Sequence, residues 1–134
     1  MDEERKEYIK AWILKTEHDL KNASIIIDSA AEDKPYDTVC FHCQQAAEKY
    51  LKAYLIYLDI LFPKTHFIAR LIQLGLEKDP ELEKIMRADS LTPYGAEIRY
   101  PDDYYEVSEN DAKEALSISL CVKNYISGKL NLYT

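Results

Sequence analysis

VCFHCQQAAEKYLKAYL, residues 39 to 55, places two cysteines and a histidine within four positions, and it reads either as part of a metal site or as one face of a helix. Cys40, Cys43, Ala47, Leu51 and Tyr54 recur at steps of three and four, and Tyr36 before them and Leu58 after them keep the step. The cysteines therefore share a stripe with leucines, the pattern of an amphipathic helix. His42 projects from another face. Tetrahedral zinc takes four ligands, commonly from paired short motifs, and the chain has no second pair with such spacing. Cys121 lies on a distant segment, and a free cysteine behaves as a small buried hydrophobe. The stretch reads as a helix from about Tyr36 to Leu61 with packing cysteines, no metal and no cofactor.

Other segments on either side repeat the helical period. Ile9, Trp12, Ile13, Thr16, Leu20, Ala23, Ile27 and Ala30 mark a helix over about residues 3 to 30, closed by Pro35. Thr65 has the chemistry of an N-cap for Phe67, Ile68, Leu71, Ile72 and Leu74, with Gly75 as the stop. Asp79-Pro80-Glu81 opens a further helix carrying Leu82, Ile85, Met86 and Leu91 inward. Ser108 and Asp111 form a capping box before Ala112, Ala115, Leu116, Ser119, Val122 and Ile126, a face that runs to Gly128. No segment alternates at period two for long. The chain is predicted to be all-α, an up-and-down bundle of four to five helices in a single domain over 1–134. Trp12, Leu20, Cys40, Cys43, Leu51, Tyr54, Leu71 and Leu116 are expected in its core.

Composition agrees with that architecture and limits the partners. In 134 residues the chain has 47% hydrophobic and 31% charged residues but only three glycines and five prolines, as long uninterrupted helices require. Its most apolar run, Ala53 to Phe62, is interrupted by Asp59 and is too short to span a bilayer. Three cysteines make an odd count suited to a reducing compartment, so a cytoplasmic protein without membrane contact is expected. The net charge of −7 excludes a broad basic surface for nucleic acid and leaves only a local patch.

Two places carry candidate chemistry. His42, Gln45, Lys49 and Lys52 line the outer stripe of the second helix, with Glu48 beside them. They form either a solvated face with short-range ion pairs or a surface that meets phosphate or a partner's carboxylates. The second place is Thr92 to Val107, TPYGAEIRYPDDYYEV, too long and too aromatic for a passive linker. Within it Arg99, Tyr104 and Tyr105 are candidate ligand- or partner-binding residues, Arg99 otherwise clamping Asp102, Asp103 or Glu106.

These pieces together resemble the HEPN domain family. The resemblance rests on Trp12 with Asp19-Leu20, QQAAEKYLKAYL at 44 to 55, FPKTH at 62 to 66, IRYPD at 98 to 102 and SENDAKEAL at the start of the last helix. It implies a helical bundle that forms a homodimer, binds nucleotide or RNA and is encoded beside a minimal nucleotidyltransferase. Many members of the wider superfamily are similar to metal-independent ribonucleases that use an arginine followed four to six residues later by histidine. Arg99 matches the arginine, but residues 103 to 106 are Asp, Tyr, Tyr and Glu, and Tyr104 stands where the histidine belongs. A phenol is a poor proton carrier near neutrality. The expectation is therefore a non-catalytic binding or regulatory partner of a nucleotidyltransferase-domain protein. The alternative is a ribonuclease toxin of a toxin-antitoxin pair with a degenerate motif, using Arg99 and Tyr104. Related toxins with a tyrosine near this motif imply Tyr104 and Tyr105 as acceptors of nucleotidyl transfer.

Overall fold

A computed structural model describes residues 1–95 and 106–130, and its described elements are all helical, with no strand among them. Helix α1, Glu3–Asp28, starts where the Asp2 carboxylate accepts the Arg5 backbone N–H at 2.7 Å, with Glu3 and Glu4 in the first turn facing the positive end of the helix dipole. It ends two residues short of the expected Ala30, because Ser29 turns extended and Lys34 donates its ammonium to the Ile27 carbonyl at 2.6 Å. Pro35 stands at the cap of the next helix.

Helix α2, Tyr36–Tyr57, runs antiparallel to α1 through the middle of the bundle. Ala46, Ala47 and Ala53 are fully buried along it, as are Val39, Cys40, Cys43, Tyr50 and Leu55, so most of its circumference is covered. The expected end at Leu61 is corrected to Tyr57. Asp59 adopts φ 61°, the Ile60 N–H reaches back to the Leu55 carbonyl at 2.9 Å, and the Asp59 N–H reaches Ile56 at 3.1 Å. This pair of bonds is a Schellman motif, with aspartate in the left-handed position glycine usually takes. Arg5, from the first turn of α1, donates Nε to the Ile56 carbonyl at 3.0 Å and Nη2 to the Tyr57 carbonyl at 2.9 Å. The orphan carbonyls that end any helix are thus satisfied by a cation, as the dipole favours.

Helix α3, Ile68–Gly75, is short, and its capping differs from the expected one. Phe67 occupies the cap position, while the Thr65 hydroxyl accepts only the Phe67 N–H at 3.1 Å. The first free donors of α3 go instead to the following segment, Ile68 N–H to the Thr92 hydroxyl at 3.2 Å and Ala69 N–H to Asp89 at 3.0 Å. That segment, Pro80–Tyr94, is a run of 3-10 turns opened by Asp79 and bent at Ile85. Gly75 is not a left-handed stop: no glycine has positive φ among the described residues. A Cβ there would fall 2.4 Å from Leu82 Cδ1, so the glycine allows α3 to seat against this segment.

Helix α4, Glu109–Lys129, begins with the reciprocal Ser108–Asp111 capping box at 3.1 and 3.0 Å, as its sequence predicts. Its face Ala112, Ala115, Ser119, Val122 and Ile126 is buried against α2, and the Ser119 hydroxyl donates to the Cys43 carbonyl at 3.0 Å. Of the expected core, Leu20, Cys40, Cys43, Leu51, Tyr54 and Leu71 are buried. Trp12 and Leu116 are half-buried, packed at the edge of the core instead of inside it. No described helix is long and apolar enough to cross a membrane.

Candidate functional site

The cysteines of α2 lie in the core. Cys40 and Cys43 have no exposed surface, and burial pushes both thiols up to about 12, which keeps them neutral and poor ligands. Cys121 is exposed on α4. His42 turns away from the cysteines, its Nδ1 lying 3.0 Å from the Asp19 carboxylate of α1.

The polar stripe of α2 is drawn into two carboxylates. Lys49 donates to Asp19 at 2.7 Å, so Asp19 is shared between His42 and Lys49. Lys52 donates to Glu48 at 2.9 Å, and the Gln44 amide donates to Glu48 at 3.0 Å. Gln45 in turn donates to the Gln44 carbonyl oxygen at 2.8 Å. The run-in to α3 closes the second group: His66 Nδ1 lies 2.9 Å from Glu48, and Gln44 also reaches the His66 carbonyl at 3.4 Å. The predicted residues His42, Gln45, Lys49 and Lys52 thus stand along one seam, each engaged with a carboxylate or with an amide that serves one.

Glu48 is the electrostatic centre of this seam. Burial by itself would raise its carboxyl, but the hydrogen bonds from Lys52, Gln44 and His66 outweigh burial and hold it below the usual carboxylate range. The Glu48 side chain is 5% exposed, whereas the His66 ring it holds is 66% exposed. A buried anion therefore orients an imidazole that stands largely in solvent. Periodicity along α2 does not reveal His66, because it comes from a different element. The only sequence signal for it is its place at the end of FPKTH. Gly95 lies against the same cluster, with its Cβ position 3.3 Å from the Gln44 amide. Arg99, Tyr104 and Tyr105 lie outside the described residues.

At the α1 side of the seam, Tyr8, Ala11, Trp12, Lys15 and Lys49 line an open hollow of about 320 Å³. The Tyr8 and Trp12 rings meet edge to face at 6.3 Å. Two aromatic rings beside two ammonium groups suit a planar anionic ligand. Among the described residues no cluster of three His, Cys, Asp or Glu side chains has the geometry of a metal site.

Known proteins share this architecture over nearly its whole length. The HEPN domain family model matches residues 9–128. A relative from Methanocaldococcus jannaschii, named "Putative toxin MJ1304", is 26% identical over 145 residues that cover 93% of this chain and 92% of the relative. The crystal structure of ST0689, an archaeal HEPN homologue, superposes with a TM-score of 0.70 at 28% identity, over 92% of this chain and 98% of that one. The crystal structure of TT1696 from Thermus thermophilus superposes with a TM-score of 0.76 at 25% identity, over 91% and 98%.

Proposed function

The chain belongs to the HEPN domain family, and from that premise we propose that it is the toxin-type member of a two-protein pair, a cytoplasmic homodimer acting on RNA. A nucleotidyltransferase-domain protein is its partner. The observation that carries this reading is the end-to-end correspondence with the archaeal relative whose name is that of a toxin candidate, 93% of one chain against 92% of the other. The seam and the hollow support it, since Lys49 borders both a polar network and the Tyr8–Trp12 rings, where a base can stack while its phosphate meets an ammonium. Arg99 supplies the phosphate contact that the family resemblance implies at this position, and Tyr104 and Tyr105 are the hydroxyls open to modification by the partner.

The second reading, a binding module without catalysis, is favoured by one fact, the absence of histidine at residues 103 to 106. Expression in a bacterial host, followed by incubation of the purified protein with structured and unstructured RNA, separates the two. Growth arrest with RNA cleavage, both lost in Arg99→Ala and relieved by the co-expressed nucleotidyltransferase, is the expected outcome. Binding of nucleotide or partner with no growth arrest and no cleavage would leave the second reading in its place.

A further inference from the structure

The charge on Glu48 has a structural use, holding Lys52 and tying α2 to the run-in of α3 through Gln44. Neither use requires an imidazole in solvent. Yet His66 is held by Glu48 through Nδ1 at 2.9 Å while its ring is 66% exposed against 5% for the carboxylate. A carboxylate that accepts from Nδ1–H fixes the tautomer whose Nε2 is an acceptor, and directs that nitrogen away from itself. This is the arrangement of a general base oriented by a buried anion. Lys52, 12% exposed and 2.9 Å from the other Glu48 oxygen, adds positive charge one contact away.

We infer that His66 is the proton-transfer group of this protein toward RNA, with Glu48 as its positioning residue and Lys52 as an electrostatic aid to the phosphate. The inference rests on the reading of the chain as an RNA-acting toxin and deepens it by naming the group that the sequence lacks after Arg99. Neutral Nε2 takes the proton of an RNA 2′-hydroxyl, and the 2′-oxygen bonds to the adjacent phosphorus. The phosphorus–O5′ bond breaks, the departing 5′-oxygen takes a proton from water, and the imidazolium afterwards returns its proton to solvent. The products are a 2′,3′-cyclic phosphate and a 5′-hydroxyl, with no metal or co-reactant required. Among the described residues, Glu48 of α2 meets the ring directly and Lys52 of α2 meets the other oxygen of that carboxylate. On the neighbouring 3-10 segment Asp89 is already engaged by the Ala69 N–H and the Thr92 hydroxyl.

The test uses the full-length protein and a fluorescent single-stranded RNA. His66→Ala is expected to lower the cleavage rate about 100-fold, the scale of a lost general base, with the melting temperature held within the wild-type range. Added imidazole is expected to restore at least about a tenth of that loss in His66→Ala and none in Arg99→Ala, a response that a structural clamp does not give. Glu48→Gln is expected to lower kcat about 10-fold or more with KM unchanged. Cleavage by the wild type that persists in His66→Ala overturns the inference while leaving the toxin reading intact. Loss of activity with a lowered melting temperature and no imidazole rescue also overturns it, making His66 a clamp. Absence of cleavage by the wild type removes both the reading and the inference.

Discussion

Glu48 and Arg5 show what single side chains do here beyond packing. The Glu48 carboxyl is held below its ordinary value of 4.5, as is that of Glu17, by Tyr50 and Lys123 against burial, and Asp79 is held below its own ordinary value of 3.8 by Tyr54 and Tyr125 against burial. A folded-state value below the unfolded one means that the unfolded chain binds protons first as pH falls. The stability these groups contribute is therefore complete above about pH 4.5 and is lost as pH drops through their folded values. In urea titrations Glu48→Gln should be less stable than wild type at neutral pH, and the gap should narrow below pH 4.5; a gap that stays constant into acid would remove the ion pairs as its cause. Arg5 joins the start of α1 to the end of α2 by donating to the Ile56 and Tyr57 carbonyls. Arg5→Ala leaves those carbonyls without a charged donor and should cost about 2 kcal/mol, read as a lower denaturation midpoint at unchanged slope. The site candidates of α2 were legible in the sequence because His42, Gln45, Lys49 and Lys52 keep one period. Their acidic partner Asp19 was not, since it lies on a different helix and its burial depends on how α1 and α2 cross.

Helix ends carry the clearest differences between pattern and structure. Hydrophobic spacing continues through Leu58 and Ile60, so periodicity alone carries α2 on to Leu61, whereas the chain leaves the helix at Asp59 with φ 61°. A left-handed aspartate is strained relative to glycine, so Asp59→Gly should stabilise the fold by up to about 1 kcal/mol, the exposed contact with Arg5 being of little consequence. An unchanged or lower midpoint would show that the Asp59 side chain has a use of its own. The two helical glycines should respond in opposite directions. Gly75→Ala puts a methyl 2.4 Å from Leu82 Cδ1 in the core and should destabilise by about 1–3 kcal/mol. Gly128→Ala meets nothing within 4 Å near the end of α4 and should stabilise by about 0.5–1 kcal/mol. Thermal denaturation of both variants checks the pair, and a loss at Gly128 would point to a contact made outside the described residues.

At the scale of the molecule, α2 is covered by α1, α4, α3 and the 3-10 segment, and the surface left over is uneven. Tyr8, Leu14, Ile25 and Phe67 are exposed. Leu14 and Ile25 lie about three turns apart on the same side of α1, an arrangement better suited to a contact than to water. The proposed homodimer should appear as a single species of twice the chain mass in sedimentation at tens of micromolar, about the range in which ordinary stable dimers persist. A monomer across that range would remove the dimer from the proposal and require each chain to hold a complete site.

The sequence by itself determined that the chain is a helical bundle, because the three-and-four spacing of Cys40, Cys43, Ala47, Leu51 and Tyr54 and the Ser108–Asp111 box are local signals that need no neighbour to be read. The same spacing put the cysteines among the leucines. Only the tertiary structure decided which polar residues of different elements belong together. Glu48 and His66 are eighteen positions apart, and nothing in either residue's local pattern points to the other. Their meeting follows from the left-handed turn at Asp59 just past the end of α2, the path of the connection to α3, and the tie from Gln44 to the His66 carbonyl. A hydrophobic stripe can be read along one helix, whereas an ion pair between elements depends on where the backbone returns.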